Sequence, residues 1–313
     1  MRYLTKPGDP GSFLPHDASW EPPRPRLPVT ADGLATSRDE PEKRKVLITG
    51  GSSGIGAATA RAFTALGSQV AITGSDKVAL DQVSGVTGAV PIHGDLREPG
   101  HPRRVVEAAS VALEGLDVVV SNAGIGWSGS FASMTDEEID ALLDVNLRAA
   151  AHVARAAIRH LRPGTGHLVF VGSIAGLVGV AGEAWYSATK AGLGMLADVL
   201  RAELRPQGIG VTLLVPGVVD TAFFDRRNAP YQRQFPRPIA AEVVAAAIVE
   251  AVERRTETVI VPAWLGWPAR LKGGFPAFYR RLERSLDSGR RWHGGKRAAA
   301  VRSARTWPRN ARA

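Results

Sequence analysis

The chain has 313 residues, 44% of them hydrophobic and 22% charged, enough to enclose a core well above the size at which small domains need stapling. This excludes a disulfide-stapled miniprotein and a chain disordered throughout, and the lack of cysteine excludes disulfides, thiolate nucleophiles and Cys-ligated zinc or iron-sulfur sites. The formal charge of +9 is unevenly placed: from Pro262 onward 13 Lys and Arg face 2 Asp and Glu, while the remainder carries 26 against 28, so the basicity belongs to a tail.

Residues 1–44 are rich in proline and mix both charge signs without an apolar targeting core, which reads as a disordered extension lacking a secretory signal. From Lys45 to Val261 short apolar runs alternate with amphipathic stretches of helical length. Strands are expected at 45–49, 69–73, 89–93, 116–120, 166–171, 210–215 and 258–261, and helices at 55–66, 76–84, 101–113, 136–161, 184–205 and 240–254. Seven β-branched runs separated by helices predict an α/β domain with a doubly wound, seven-stranded parallel sheet, covered on both faces. Thr135-Asp-Glu-Glu138 is a capping box opening the long fourth helix, and Pro206 with Gly208 ends the fifth. Residues 164–182 carry no formal charge but contain six glycines, so they read as a buried strand and loop and not as a membrane span.

The first strand runs into Thr49-Gly-Gly-Ser-Ser-Gly-Ile-Gly56 and then an alanine-rich helix. Glycines 50, 54 and 56 let the backbone turn sharply and approach a pyrophosphate, which the free N–H groups of a helix N-terminus would receive. No lysine follows as a P-loop requires, so a nucleoside triphosphate is disfavoured. Further on, Tyr186-Ser-Ala-Thr-Lys190 places a phenol and an ammonium on one helix face, with Ser173 at the end of the preceding strand. A cation held near the phenol is expected to lower its pKa toward the range a general acid/base needs. No residue set is assigned to a metal.

These motifs, with Ser121-Asn-Ala-Gly124 after the fourth strand, Asn146 in the long helix and Pro216-Gly-Val-Val-Asp-Thr221 after the sixth strand, resemble the short-chain dehydrogenase/reductase family over residues 45–262. The resemblance implies a Rossmann-like catalytic domain that moves hydride between a nicotinamide and a carbonyl/alcohol substrate. It casts Ser173 as the group orienting the substrate oxygen, Tyr186 as proton donor or acceptor, Lys190 as the ligand of the nicotinamide ribose and the residue that tunes that tyrosine, and Asn146 as a helix-kinking asparagine that holds a relay water. It assigns Gly50, Ser52, Ser53, Gly54, Ile55 and Gly56 to the pyrophosphate, Asp95 and Leu96 to the adenine, and Asn122, Ala123 and Gly124 to the groove wall. Pro216, Gly217, Val219 and Thr221 fall on the nicotinamide side. Ser121 departs from the asparagine more usual in the family.

The second strand ends in Gly74-Ser75, without the acidic residue that would bind a ribose 2′-hydroxyl and repel a 2′-phosphate. NADP(H) is therefore favoured over NAD(H), with Ser75 and Ser53 as phosphate donors. The segment from Thr221 to Ile239 is expected to close over the substrate, its Phe223, Phe224, Tyr231 and Phe235 lining a pocket for a lipophilic ketone or alcohol or simply packing on the domain.

Residues 263–313 form a basic C-terminal extension in which Trp264, Trp267, Phe275, Phe278 and Tyr279 interleave with arginines. It could lie on an anionic membrane surface or pack its aromatics over the cleft, but Pro268, Gly273, Gly274 and Pro276 argue against one continuous helix. No motif supports specific nucleic-acid recognition. A cytoplasmic, homo-oligomeric enzyme is expected, with peripheral membrane contact through 263–313. Its oligomer would form through the helices at 136–161 and 184–205, where Ala149 to Ala151 and Ala154 offer small faces that could equally pack inside the monomer. The competing readings are a dinucleotide-binding sensor or scaffold without turnover, a membrane-surface protein acting through its tail, and an isomerase or dehydratase on the same fold.

Overall fold

The computed structural model describes residues 43–227, 229–231 and 235–287, with backbone alone for the last six of these. Most of the proline-rich extension, and the tail from 288 on, lie outside the described residues.

Alternating strands and helices follow the apolar periodicity of the chain: β1 (Lys45–Thr49), α1 (Gly54–Ala65), β2 (Gln69–Gly74), α2 (Lys77–Thr87), β3 (Val90–His93), α3 (His101–Ala112) and β4 (Val118–Ser121). The second half runs α4 (Asp136–Leu143), α5 (Ala149–Ala157), β5 (His167–Val171), α6 (Ile174–Val178), α7 (Ala184–Leu204), β6 (Gly210–Pro216), β7 (Val219–Asp220), α8 (Phe223–Arg226), β8 (Ile239–Ala240), α9 (Ala241–Arg254) and β9 (Thr258–Val261). Seven strands form one parallel sheet in the order β3-β2-β1-β4-β5-β6-β9, with β7 and β8 paired separately. All seven expected strands are found, each within two residues of its expected bounds.

Because successive strand residues point to opposite faces, β1 feeds two cores. Leu47 joins Val106, Val153, Phe170 and Leu193 on one side, while Val46 and Ile48 join Phe63, Ile72, Leu214 and Ile248 on the other. The strand order reverses between β1 and β4, which opens a crevice beyond their carboxyl ends where ligands of such sheets bind.

The capping box is present, Glu138 N–H donating to Thr135 Oγ1 at 3.2 Å and Thr135 N–H to Glu138 Oε2 at 3.1 Å. The helix it opens is not continuous over 136–161. A π-helical turn, Asp144–Arg148, separates α4 from α5. Asn146 sits at its centre, bonded through both amide atoms to the backbone of Ile125, so the side chain holds a loop instead of leaving the helix in register. Of the small-residue face, Ala149, Ala150 and Ala154 are buried inside the monomer and Ala151 is partly buried.

The C-terminal segment breaks as its glycines and prolines dictate, into α10 (Gly266–Gly274) and α11 (Pro276–Asp287). It packs on the domain: Leu265 is buried, and a Cβ at Gly217 would fall 2.4 Å from its Cδ1. Lys272 Nζ donates to the carbonyl of Val178 in α6 at 3.0 Å.

Candidate active site

The glycine turn is tied to the sheet at the switch point. Thr49 Oγ1 accepts from the N–H groups of Asn122 and Ala123 at 2.9 and 3.0 Å, and Asn122 Nδ2 donates to the carbonyl of Thr49 at 2.9 Å. This joins the ends of β1 and β4 without using the first N–H groups of α1. Those remain uncapped by a side chain, because Ser53 at the N-cap makes no cap bond and the first turn holds no acid. Gly56 packs so closely that a Cβ there would lie 2.2 Å from the carbonyl oxygen of Gly50. An uncapped helix start behind a bare backbone surface fits a dinucleotide pyrophosphate.

Beyond the turn lies a cleft of about 1330 Å³. Of the residues singled out from the sequence, Gly50, Ser52, Ser53, Gly54, Ile55, Ser75, Asp95, Leu96, Asn122, Ala123, Gly124, Ser173, Tyr186, Lys190, Pro216, Gly217, Val219 and Thr221 line it. Gly56 and Asn146 stand behind its wall. Asn146 is almost wholly buried, donating also to Thr189 Oγ1 at 3.2 Å.

Ser173 caps α6 by accepting the N–H of Ala175 at 3.2 Å, which fixes its hydroxyl beside the Tyr186 phenol. Tyr186 is only 7% exposed. Burial pushes its pKa up to about 12, a push that Glu183 reinforces and that the Ser173 hydrogen bond and the Arg227 charge oppose. Lys190 is also buried, which pulls its ammonium down to about 8, and it donates to the carbonyl of Val171 at 2.9 Å. The expected lowering of the Tyr186 pKa by Lys190 is thus not found in this structure. Desolvation of the phenol dominates, and the ammonium is engaged by backbone.

Ser52 and not Ser53 lies against the end of β2, 3.2 Å from the Cβ position of Gly74. Ser53 is extended and faces the other way, accepting from Arg226 Nη2 at 2.5 Å. Ser53 and Ser75, the expected phosphate donors, both line the cleft, and Ser52 is the serine beside Gly74. Asp76, beside Ser75, caps α2 by accepting from Ala79 N–H at 3.0 Å. Burial raises the Asp95 carboxyl, but its hydrogen bonds from Arg97 and the charges of Arg97 and His101 outweigh this and leave it below the usual range.

Sequence reasoning missed three charged contacts here. Arg97 lines the cleft and pairs with Asp95. Arg226 reaches Ser53. Arg227 pairs with Glu183 at 2.7 Å, both side chains largely buried, and stacks over Phe224 at 4.6 Å. The Arg226-Arg227 doublet was the available signal, obscured by the aromatics around it. Phe223, Phe224 and Tyr231 form a chain of ring contacts running from Tyr186.

A family model described as short chain dehydrogenase matches residues 44–232. A ketoacyl reductase of Nostoc sp. is 32% identical over 70% of this chain and 78% of its own length. A short chain dehydrogenase of Burkholderia cenocepacia, solved in complex with NADP, is 34% identical, covers 69% of this chain and 95% of that one, and superposes with a TM-score of 0.60. A Burkholderia phymatum structure in complex with NAD has the same fold, with a TM-score of 0.69 over 75% of this chain and 95% of that one, at 23% identity. Motifs, sheet order and these matches agree: the chain belongs to the short-chain dehydrogenase/reductase family and is an NAD(P)-dependent oxidoreductase.

Proposed function

We propose that the chain reduces a lipophilic carbonyl compound, or oxidises the corresponding alcohol, with NADP(H) as the preferred cofactor. The observation that carries this is the buried Tyr186 phenol, with Ser173 beside it on a cleft covered by Phe223, Phe224 and Tyr231. A nicotinamide bound there would supply or accept the hydride. Tyr186 donates its proton to the substrate oxygen in reduction and takes it back in oxidation, and Ser173 holds that oxygen. Lys190 holds the ribose, and Asn146 positions the loop at Ile125 and a relay water.

Gly50 to Gly56 would receive the pyrophosphate, Asp95 and Leu96 the adenine, and Val219 with Thr221 the nicotinamide side. The NADP preference rests on Gly74 and Ser75, with Ser52 beside them and the nearest carboxylate, Asp76, committed to capping α2. The Nostoc relative is named a ketoacyl reductase, which fits a carbonyl on an apolar chain. Met195 and Val199, exposed on α7, are the face through which copies would associate; light scattering after gel filtration checks this.

The testing experiment is titration with NADPH and NADH by nicotinamide fluorescence, followed by turnover of apolar ketones and alcohols by wild type and Tyr186→Phe. The variant should bind cofactor normally and lose turnover by about a thousandfold or more. Unchanged turnover removes Tyr186 from its role, and equal affinity for both cofactors removes the preference.

A further inference from the structure

Around the mouth of the cleft the chain turns large rings outward. Phe235, Trp264, Trp267, Phe275 and Phe278 are between 41% and 70% exposed, although aromatics of this size ordinarily bury most of their surface. Their neighbours face the other way: Leu265, Pro268 and Tyr279, which follow Trp264, Trp267 and Phe278, line the cleft. Phe235 belongs to both sides, lining the opening and stacking on Trp264 with ring centroids 5.1 Å apart. Exposed rings gathered beside the residues that line one opening mark a site of interaction.

Its charge states the kind of partner. Residues 262–287, to the end of α11, contain Arg270, Lys272, Arg280, Arg281 and Arg284 against Glu283 and Asp287, an excess of three positive charges. The Arg270 guanidinium lies 5.7 Å from the centre of the Trp267 ring. Rings flanked by an excess of cations match an anionic lipid surface, where Trp and Phe enter the interface and Arg and Lys meet headgroup phosphates. A second copy would bring two segments of the same net positive charge face to face.

We infer that the rim formed by Phe235, Trp264, Trp267, Phe275 and Phe278 docks the cleft mouth on an anionic bilayer, from which a lipophilic carbonyl substrate enters without crossing water. The entry route rests on the lipophilic-substrate reading above; the docking surface stands on the exposed rings and cations. Among the described residues no helix is long and apolar enough to cross a membrane, so the contact is peripheral.

The test is sedimentation of the full chain with vesicles of phosphatidylcholine alone and of phosphatidylcholine with an equal share of phosphatidylglycerol, at physiological salt. The chain should pellet with the anionic vesicles, blue-shift its tryptophan emission, and stay in solution with the neutral ones. Trp267→Ser with Phe278→Ser should reduce vesicle affinity by about tenfold or more, while NADPH titration of the same protein stays unchanged and so reports its fold. Failure to pellet with anionic vesicles overturns the inference. So does pelleting that the double variant leaves intact, and poly(U) competing equally well with both proteins would then assign the attraction to polyanion binding by the basic tail. Vesicle binding without turnover of any lipophilic carbonyl compound would sink only the substrate reading, and turnover without vesicle binding only the docking.

Discussion

Replacing Arg227 by methionine tests whether the aromatic segment over the cleft is held down by a single ion pair. Arg227 and Glu183 are 2.7 Å apart, with side-chain exposures of 7% and 15%. Two unit charges about 4 Å apart attract by about 4 kcal/mol at an effective dielectric of about 20, and most of that offsets their desolvation while both are present. Removing only the guanidinium leaves the Glu183 carboxylate without its partner, at a cost of about 3 kcal/mol. This is the low end for buried pairs, because Glu183 keeps some water and sits at the start of α7, where the helix dipole favours it.

Because Phe223–Arg226 form only a short helix outside the seven-stranded sheet, the strain should be relieved by local opening and not by global unfolding. About 3 kcal/mol raises the open population by about a hundredfold. Chymotryptic cleavage after Phe223 or Phe224 should accelerate accordingly, with a much smaller change in the urea midpoint. Arg227→Met with Glu183→Gln should recover at least half of the loss, since no charge is then left buried. The single variant also removes a group that lowers the Tyr186 pKa and leaves one that raises it, so the limb of the alcohol-oxidation profile that rises with pH should move to higher pH. Unaccelerated cleavage in Arg227→Met, or a double variant cleaved as fast as the single one, would refute the clamp.

Three further outcomes are expected. Arg226→Ala removes the guanidinium bonded to Ser53 beside the uncapped start of α1, and should weaken NADPH binding by about tenfold and flatten its salt dependence; an unchanged titration would place Arg226 outside the pyrophosphate site. Gly74→Asp brings a carboxylate to the end of β2 with its Cβ tight against Ser52 at 3.2 Å, and should shift the ratio of NADH to NADPH affinity toward NADH by about tenfold or more, as parallel titrations would read. His167 is buried with Nε2 against Thr212 Oγ1 at 2.8 Å, and burial pulls its pKa from 6.5 to about 4. The unfolded chain takes up that proton below 6.5 while the folded chain refuses it, so stability should fall as pH drops through this window, by about 2 kcal/mol between pH 7 and 5. Urea unfolding at the two pH values measures this, and a slope equally steep in His167→Gln would assign it elsewhere.

The expected strands were found because each is a short β-branched run with both faces in the core, and such runs carry their own signal whatever they pair with. The Thr135 box and the Gly208 stop were equally local. The π-helical turn at Asn146 was not local: the family resemblance implied a kink there, but periodicity did not show it, because the partner that draws the side chain out of helical register is Ile125, 21 residues away. Helix α6 was too short and too glycine-rich for periodicity to reveal, although its cap at Ser173 sets the hydroxyl beside Tyr186.

Element order, the parallel sheet, the pyrophosphate turn and the list of candidate groups are properties of the sequence itself, since they depend on local periodicity, backbone freedom and short spacings. The protonation balance of Tyr186 and Lys190, the division of Ser52 and Ser53 between two sides of the turn, the Arg227–Glu183 clamp and the outward rings at the cleft mouth were decided by tertiary structure alone. Each depends on how much water is left around a group and which distant segment takes its place. Those quantities exist only once the chain has closed on itself.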